Sequence, residues 1–217
     1  MSEPNLIIWH GLKTYQQGEL IQKEALSLTQ GTKSGLILGF EFKPCITLGI
    51  RGRPEEDLLV STEELEAKGF SLFKSPRGGQ ATLHQPGQLV IYPIFDLRAL
   101  KIGPRCWTEH LLNYSQSFLR EQYGVQTERL EGRPGLYTSG GKILYLGLRI
   151  QRGISSHGLA LNVTNPLEDF ALIRSCGQEI HSHDSLAHQG KKASPQEVFS
   201  LWAQGLNAHL TSSLCQV

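Results

Sequence analysis

The chain has 217 residues, 21 Lys+Arg against 20 Asp+Glu, 39% apolar and 19% charged residues. That length supports one domain with a full core, and the composition excludes a disordered chain or a coiled coil. A formal charge of +1 excludes a bulk polyanion binder. There is no apolar run of roughly 18 residues for a membrane span, and Met1-Ser2-Glu3-Pro4-Asn5 carries no basic, apolar leader. The expectation is a cytoplasmic protein that meets neither membrane nor nucleic acid. Cys45, Cys106, Cys176 and Cys215 lie far apart, so neither a zinc knuckle nor a CxxC redox motif is present.

In chain order, Thr14 with Gln17 has capping-box spacing and opens a helix, with Ile21, Ala25 and Leu28 on one face and Gly31 closing it. Residues 36–42 and 46–50 read as strands, 62–69 as a short helix, and 70–73 as a further strand. Residues 88–95 form a strongly apolar strand that Pro93 should end or confine to an edge. Trp107, Leu111, Tyr114 and Phe118 recur at helical spacing between Pro104 and Tyr123, a stripe expected in the core. Residues 142–150 and 154–163 read as a strand pair joined by a tight turn at Gln151-Arg152-Gly153. Ser194, Pro195 and Glu197 signal the start of a C-terminal helix over about 194–211, continued by Val198, Trp202 and Leu206. This mixture favours α+β: a single domain with a mixed or antiparallel sheet flanked by helices.

Three segments set glycine beside polar or reactive groups. Arg77-Gly78-Gly79-Gln80-Ala81-Thr82-Leu83-His84 combines a fixed cationic fork, paired glycines that expose backbone N–H donors, and an imidazole. The plain alternative is a hairpin loop with a structural His. Ser139-Gly140-Gly141-Lys142 runs into a strand, where Lys142 either blunts an edge or points inward as a base of lowered pKa. His157-Gly158-Leu159-Ala160 is followed by Ser175-Cys176-Gly177. Most lone cysteines are small buried hydrophobes, but one in a turn can be activated by backbone donors.

Taken together, these segments resemble one family. Arg77-Gly78-Gly79-x-x-Thr82-x-His84-x-Pro86-Gly87-Gln88-Leu89-Val90-x-Tyr92-Pro93 looks like the signature of the lipoyl(octanoyl) transferases of the biotinyl/lipoyl protein ligase superfamily. Lys142-Ile143 with Gly147, His157-Gly158-x-Ala160-Leu161-Asn162-Val163 and Cys176-Gly177 follow in the family's order, over roughly residues 10 to 180. Leu144 and Tyr145 stand where the family often has small residues and Ser175 where it usually has Pro, which bears on chain-length preference rather than reaction type.

The resemblance implies a biotin-ligase-like α+β fold and transfer of an octanoyl group from octanoyl-acyl carrier protein, without a cofactor or metal. The acceptors would be lysines of lipoyl-carrier domains in 2-oxoacid dehydrogenase complexes and of the glycine cleavage H protein. Cys176 would carry the acyl thioester and Lys142 would lower its pKa and move protons. The ligand would lie along Arg77, Gly78, Gly79, Gln80, Ala81, Thr82, Leu83 and His84, then Tyr145, Leu146 and Gly147, and Gly158, Leu159 and Ala160. His84 is expected to hydrogen-bond near the acyl carbonyl, and His157 to be structural. Arg51, Arg53, Lys74, Arg77, Arg149 and Arg152 are candidates for a basic carrier-docking surface. The alternatives are an ATP-dependent lipoate–protein ligase and a non-catalytic acyl-binding relative.

Overall fold

Leu89, Ile91, Leu144, Leu159 and Leu161 turn to one side of a seven-stranded sheet, and Val90, Tyr92, Tyr145 and Ala160 to the other. Successive side chains of a strand point to opposite faces, so each strand serves two layers. The structure, a computed structural model, describes residues 5–174 and 182–213. Its strands are β1 (Leu6–Lys13), β2 (Leu36–Phe42), β3 (Cys45–Leu48), β4 (Ser71–Lys74), β5 (Ala81–His84), β6 (Gln88–Ile94), β7 (Glu128–Leu130), β8 (Arg133–Thr138), β9 (Gly141–Gln151) and β10 (Ile154–Asn162). The helices are α1 (Tyr15–Thr29), α2 (Pro54–Asp57), α3 (Thr62–Ala67), α4 (Pro104–Tyr123) and α5 (Pro195–Ser213), with a 3-10 turn at Glu168–Leu172.

The large sheet runs β1-β2-β6-β10-β9-β8-β7, and only its β1–β2 pair is parallel. A small sheet, β4-β3-β5, is parallel on one side and antiparallel on the other. This is the expected mixed-sheet α+β architecture. Trp107 and Leu111 of α4 and Val198 and Trp202 of α5 close one face of the large sheet. Tyr15 and Ala25 of α1, with Ile46, Leu48 and Leu83 of the small sheet, pack on the other.

Local chemistry sets the helix ends. Thr14 Oγ1 accepts from Gln17 N at 3.2 Å and Gln17 Oε1 accepts from Thr14 N at 2.9 Å, a reciprocal cap that contributes about 1 kcal/mol. Ser194 and Glu197 repeat the arrangement before α5. The buried stripe of α1 is Tyr15, Gly18, Gln22, Ala25 and Thr29, whereas Leu28 is 66% exposed and lies off the expected face. Gly18 fits because a Cβ there would stand 2.5 Å from the Phe42 ring.

Three other expectations change. Residues 81–84, read as part of a loop, form β5, and the strand expected over 46–50 ends at Leu48, leaving Ile50 71% exposed in a turn. Pro93 neither ends nor edges its strand: β6 lies between β2 and β10. The β10 ladder stops at Leu159 opposite Ile91, and the Ser155 hydroxyl accepts from Phe95 N (3.0 Å) while donating to Pro93 O (2.8 Å). Proline is therefore tolerated where the neighbouring strand has already parted from it.

Candidate active site

The site begins with missing side chains. Gly147 of β9 faces Gly158 of β10, with Tyr145 facing Ala160 one pleat further on, and Ala160 facing Val90 of β6. Two glycines side by side leave a trough in the sheet, which opens into a cavity of ≈210 Å³. Gly158 has no room for a side chain, and Gly147 has little. A Cβ on Gly158 would lie 2.1 Å from Ile91 O and 2.6 Å from Pro93 Cδ, and one on Gly147 would press on Arg77 Cδ at 3.2 Å.

The segment from Arg77 to β5 forms a second wall. The buried Arg77 guanidinium donates to Thr47 O (2.6 Å), Thr47 Oγ1, Gln80 O (2.8 Å) and Gly78 O (2.9 Å), so its fork braces the wall. Gly78 N donates to Leu148 O at 3.1 Å, so this expected backbone donor ties the wall to β9. Arg51 N donates to Gly79 O and Gly49 N to Gln80 O, which fixes the turn after β3 against the same wall. Gly79, Gln80, Ala81, Thr82 and His84 line the cavity. Thr82 Oγ1 is buried without a hydrogen-bond partner among the described residues. Leu83 is fully buried in the core and is not part of the lining.

Lys142 lies near the start of β9, paired with Tyr137 of β8 on one side and bridged to His183 on the other, and is 3% exposed; it is an inward lysine, not an edge charge. Its Nζ stands 4.9 Å from the Tyr145 ring centroid and 5.3 Å from that of Tyr137, faces that attract a cation. Gly135 makes this possible, since a Cβ there would come within 2.7 Å of Lys142 Cε. The Tyr145 hydroxyl is hydrogen-bonded to His183 Nδ1 at 2.5 Å, and both rings stack on Phe170. Tyr145, Leu146, Gly147, Gly158, Leu159 and Ala160 complete the lining with Lys142.

Cys176, with Ser175 and Gly177, lies outside the described residues, as does Cys215. The described chain on either side of Cys176 is tied down here. Arg174 N donates to Asp57 O (2.8 Å), and Asp57 Oδ1 accepts from Gln80 Nε2 (3.3 Å). On the far side, Lys142 N donates to Ser182 O (2.9 Å) and Asp184 N to Lys142 O (3.0 Å). Burial would raise the Asp184 carboxyl pKa, but hydrogen bonds from Thr138, Gln189, Ser185 N and His188 hold it below the usual range. Cys45 is buried and its thiol is pushed up to about 12, whereas Cys106 is exposed on α4.

Two histidines face this cavity. His84 Nδ1 bonds Gln88 Oε1 at 2.7 Å, and burial, with Arg77 adding to it, lowers its pKa to about 4 despite that bond. His157 falls to about 3 through burial and the charges of Arg77 and Arg149. Its φ of +53° is a left-handed conformation that costs a non-glycine residue about 1–3 kcal/mol. Gln22 of α1 holds it there, accepting from His157 N at 2.6 Å. His157, expected to be structural, thus belongs to the cavity wall. Tyr15, its hydroxyl donating to Ser75 Oγ at 2.7 Å, is a lining residue that sequence reasoning missed. Both contributions from α1 join residues 60 or more positions apart, which local patterning cannot signal.

The lipoyl protein ligase A/B catalytic domain matches residues 16–204. An octanoyltransferase of Maridesulfovibrio salexigens is 33% identical over 198 residues, covering 89% of this chain and 91% of its own. One from Koribacter versatilis is 37% identical over 193 residues, covering 85% and 75%. The bipartite lipoate protein ligase of Thermoplasma acidophilum superposes with a TM-score of 0.73 over 96% of this chain and 85% of that one. At 13% identity that likeness is one of fold alone. With the domain match spanning most of the sequence and relatives this similar along nearly its full length, the chain belongs to the octanoyltransferase family of the lipoyl protein ligase A/B superfamily.

Proposed function

We propose that the whole chain acts as one catalytic domain that carries an octanoyl group from octanoyl-acyl carrier protein to a lysine of a lipoyl-carrier domain, through a thioester on Cys176. The observation that carries this reading is the buried Lys142 in a cavity of mixed polar and apolar lining, with the chain on both sides of Cys176 tied to its surroundings. An ordinary thiol near pKa 8.5 is mostly protonated at neutral pH, and an adjacent ammonium favours the thiolate. In the first half, the Cys176 sulfur attacks the acyl carbon, a C–S bond forms, and the carrier's C–S bond breaks with its sulfur taking a proton. In the second, the lysine amine attacks, a C–N bond forms, and the Cys176 sulfur leaves with the amine's surplus proton, relayed by Lys142. Thioester exchange is nearly balanced and amide formation is downhill, so neither half needs ATP.

Burial of an eight-carbon chain supplies about 0.8 kcal/mol per methylene to binding. The acceptors are the lipoyl domains of 2-oxoacid dehydrogenase complexes and the glycine cleavage H protein, met in the cytoplasm. Of the candidate docking cations, Arg77 is buried in its brace and Arg53 pairs with Glu56 at 2.7 Å, whereas Arg51 is exposed at the cavity. Arg51 is therefore the cation assigned to the acidic carrier. Purified chain, octanoyl-acyl carrier protein and a lipoyl domain without nucleotide should yield octanoylated domain. Octanoylation only from free octanoate and ATP would instead make this a ligase.

A further inference from the structure

Two backbone groups determine which nitrogen of each cavity histidine carries the proton. The Asp184 carbonyl can only accept, so Asn162 presents Nδ2 to it at 2.9 Å and turns Oδ1 inward. That oxygen receives Gln88 Nε2 at 3.0 Å and Asn165 Nδ2 at 3.2 Å. Gln88 must then offer Oε1 to His84 Nδ1 at 2.7 Å. An amide oxygen also only accepts, so the proton of neutral His84 sits on Nδ1. Its Nε2 is then a bare lone pair on a ring that lines the cavity.

His157 is fixed the other way. Its backbone N–H donates to Gln22 Oε1, so Gln22 Nε2 donates to His157 Nε2 at 3.4 Å, and the ring proton lies on Nδ1. The amide clamp thus holds Nδ1 of His84 and Nε2 of His157, and the two rings present opposite polarity to their surroundings.

A carbonyl oxygen, or the oxyanion it becomes, needs a donor. A neutral His84 protonated on Nδ1 supplies none through Nε2, so this tautomer does not suit a donor to the acyl carbonyl. It nevertheless lines the same cavity as Lys142. The relay behind it runs through Gln88 and Asn162 to Asp184, whose N–H donates to Lys142 O. We propose that His84 serves the amine half of the transfer, its Nε2 accepting one N–H of the incoming lysine and thereby aiming the nitrogen lone pair at the acyl carbon. This rests on the transferase reading given above. The C–N bond forms, the C–S bond breaks, and the surplus proton passes to the departing sulfur. His84 orients the amine and does not keep the proton, in keeping with its lowered pKa.

Long-range proton–nitrogen spectra of the full chain with ¹⁵N-histidine, the signal assigned with His84→Asn, should show Nδ1 protonated and Nε2 bare at neutral pH. In single-turnover experiments His84→Asn should slow discharge of the acyl-enzyme to a lipoyl domain by about tenfold or more, the worth of one positioned hydrogen bond, while acylation stays within about threefold. Gln88→Leu, which frees the ring proton, should show a smaller split in the same sense. A general packing defect would lower both halves together. A proton on Nε2, or equal losses in the two halves, overturns the proposal. A wild-type chain that forms no acyl-enzyme sinks the transferase reading, and this proposal with it.

Discussion

On the α4–α5 face, Leu89, Ile91, Leu144, Leu159 and Leu161 meet Trp107, Leu111, Val198 and Trp202 in a closed apolar layer. On the opposite face the alternate residues of the same three strands are Gln88, Val90 and Tyr92, Tyr145 and Gly147, and Gly158, Ala160 and Asn162. One layer is built of large apolar side chains. The other mixes glycine, amide and aromatic groups around a cavity. The period of two in a strand lets stability and chemistry occupy alternate residues, shared at Leu159, which belongs to the apolar layer and also lines the cavity. A substitution should therefore act on folding or on turnover according to the face it touches.

The largest effect belongs to the open face. Lys142→Ala should lower octanoyl transfer by roughly 10²–10⁴-fold with an unchanged circular dichroism spectrum, the range for loss of a positioned proton-transfer group. Wild-type rates across the pH range would contradict it.

Adjacent residues of β10 sharpen the contrast. Leu161→Ala should cost about 2–5 kcal/mol in urea unfolding while the surviving folded molecules turn over normally. Ala160→Leu fills the cavity beside Tyr145 and should lower transfer by about 100-fold, with at most about 1–3 kcal/mol lost from stability. Similar losses of stability and turnover in both variants would dissolve the distinction between the faces.

The open face should also carry a pH signature. His84 titrates at about 4 when folded, chiefly through burial, against 6.5 when unfolded. The unfolded chain therefore binds a proton in that window where the folded chain does not. Stability is full above pH 6.5 and drains away as the pH falls towards about 4, by about 3 kcal/mol for His84. His157 adds to it in the same direction, down to about 3. Unfolding free energies at pH 7.5 and 4.5 should differ less in His84→Gln than in wild type, and an identical difference would contradict the assignment. The smallest effect is expected from Cys106→Ser, exposed on α4 and distant from either layer's function: transfer should stay within about twofold of wild type.

Much of this arrangement was legible in the sequence because its signals are local. Thr14 with Gln17, Ser194 with Glu197, and Arg152-Gly153, both with positive φ, are decided within four residues of chain. The Arg77–His84 motif and the strands bearing Lys142 and Ala160 likewise meet in the cavity. What escaped depended on distance along the chain. β1 gains its place by pairing with β2 across α1, and β8 by pairing with β9, so neither advertises itself by alternation. Pro93 reads as a strand breaker until the parted ladder at His157 is seen. The histidine polarities depend on Gln22, Gln88 and Asn162, whose amides acquire direction only from backbone groups up to 135 residues away.

The central claim is that this cavity serves a covalent transfer through Cys176. It is tested most directly by the intact mass of the full chain after incubation with octanoyl-acyl carrier protein and no nucleotide. The account predicts a gain of about 126 Da that is absent in Cys176→Ser and discharged when a lipoyl domain is added. An unmodified wild-type chain, or an adduct that persists in Cys176→Ser, would contradict it.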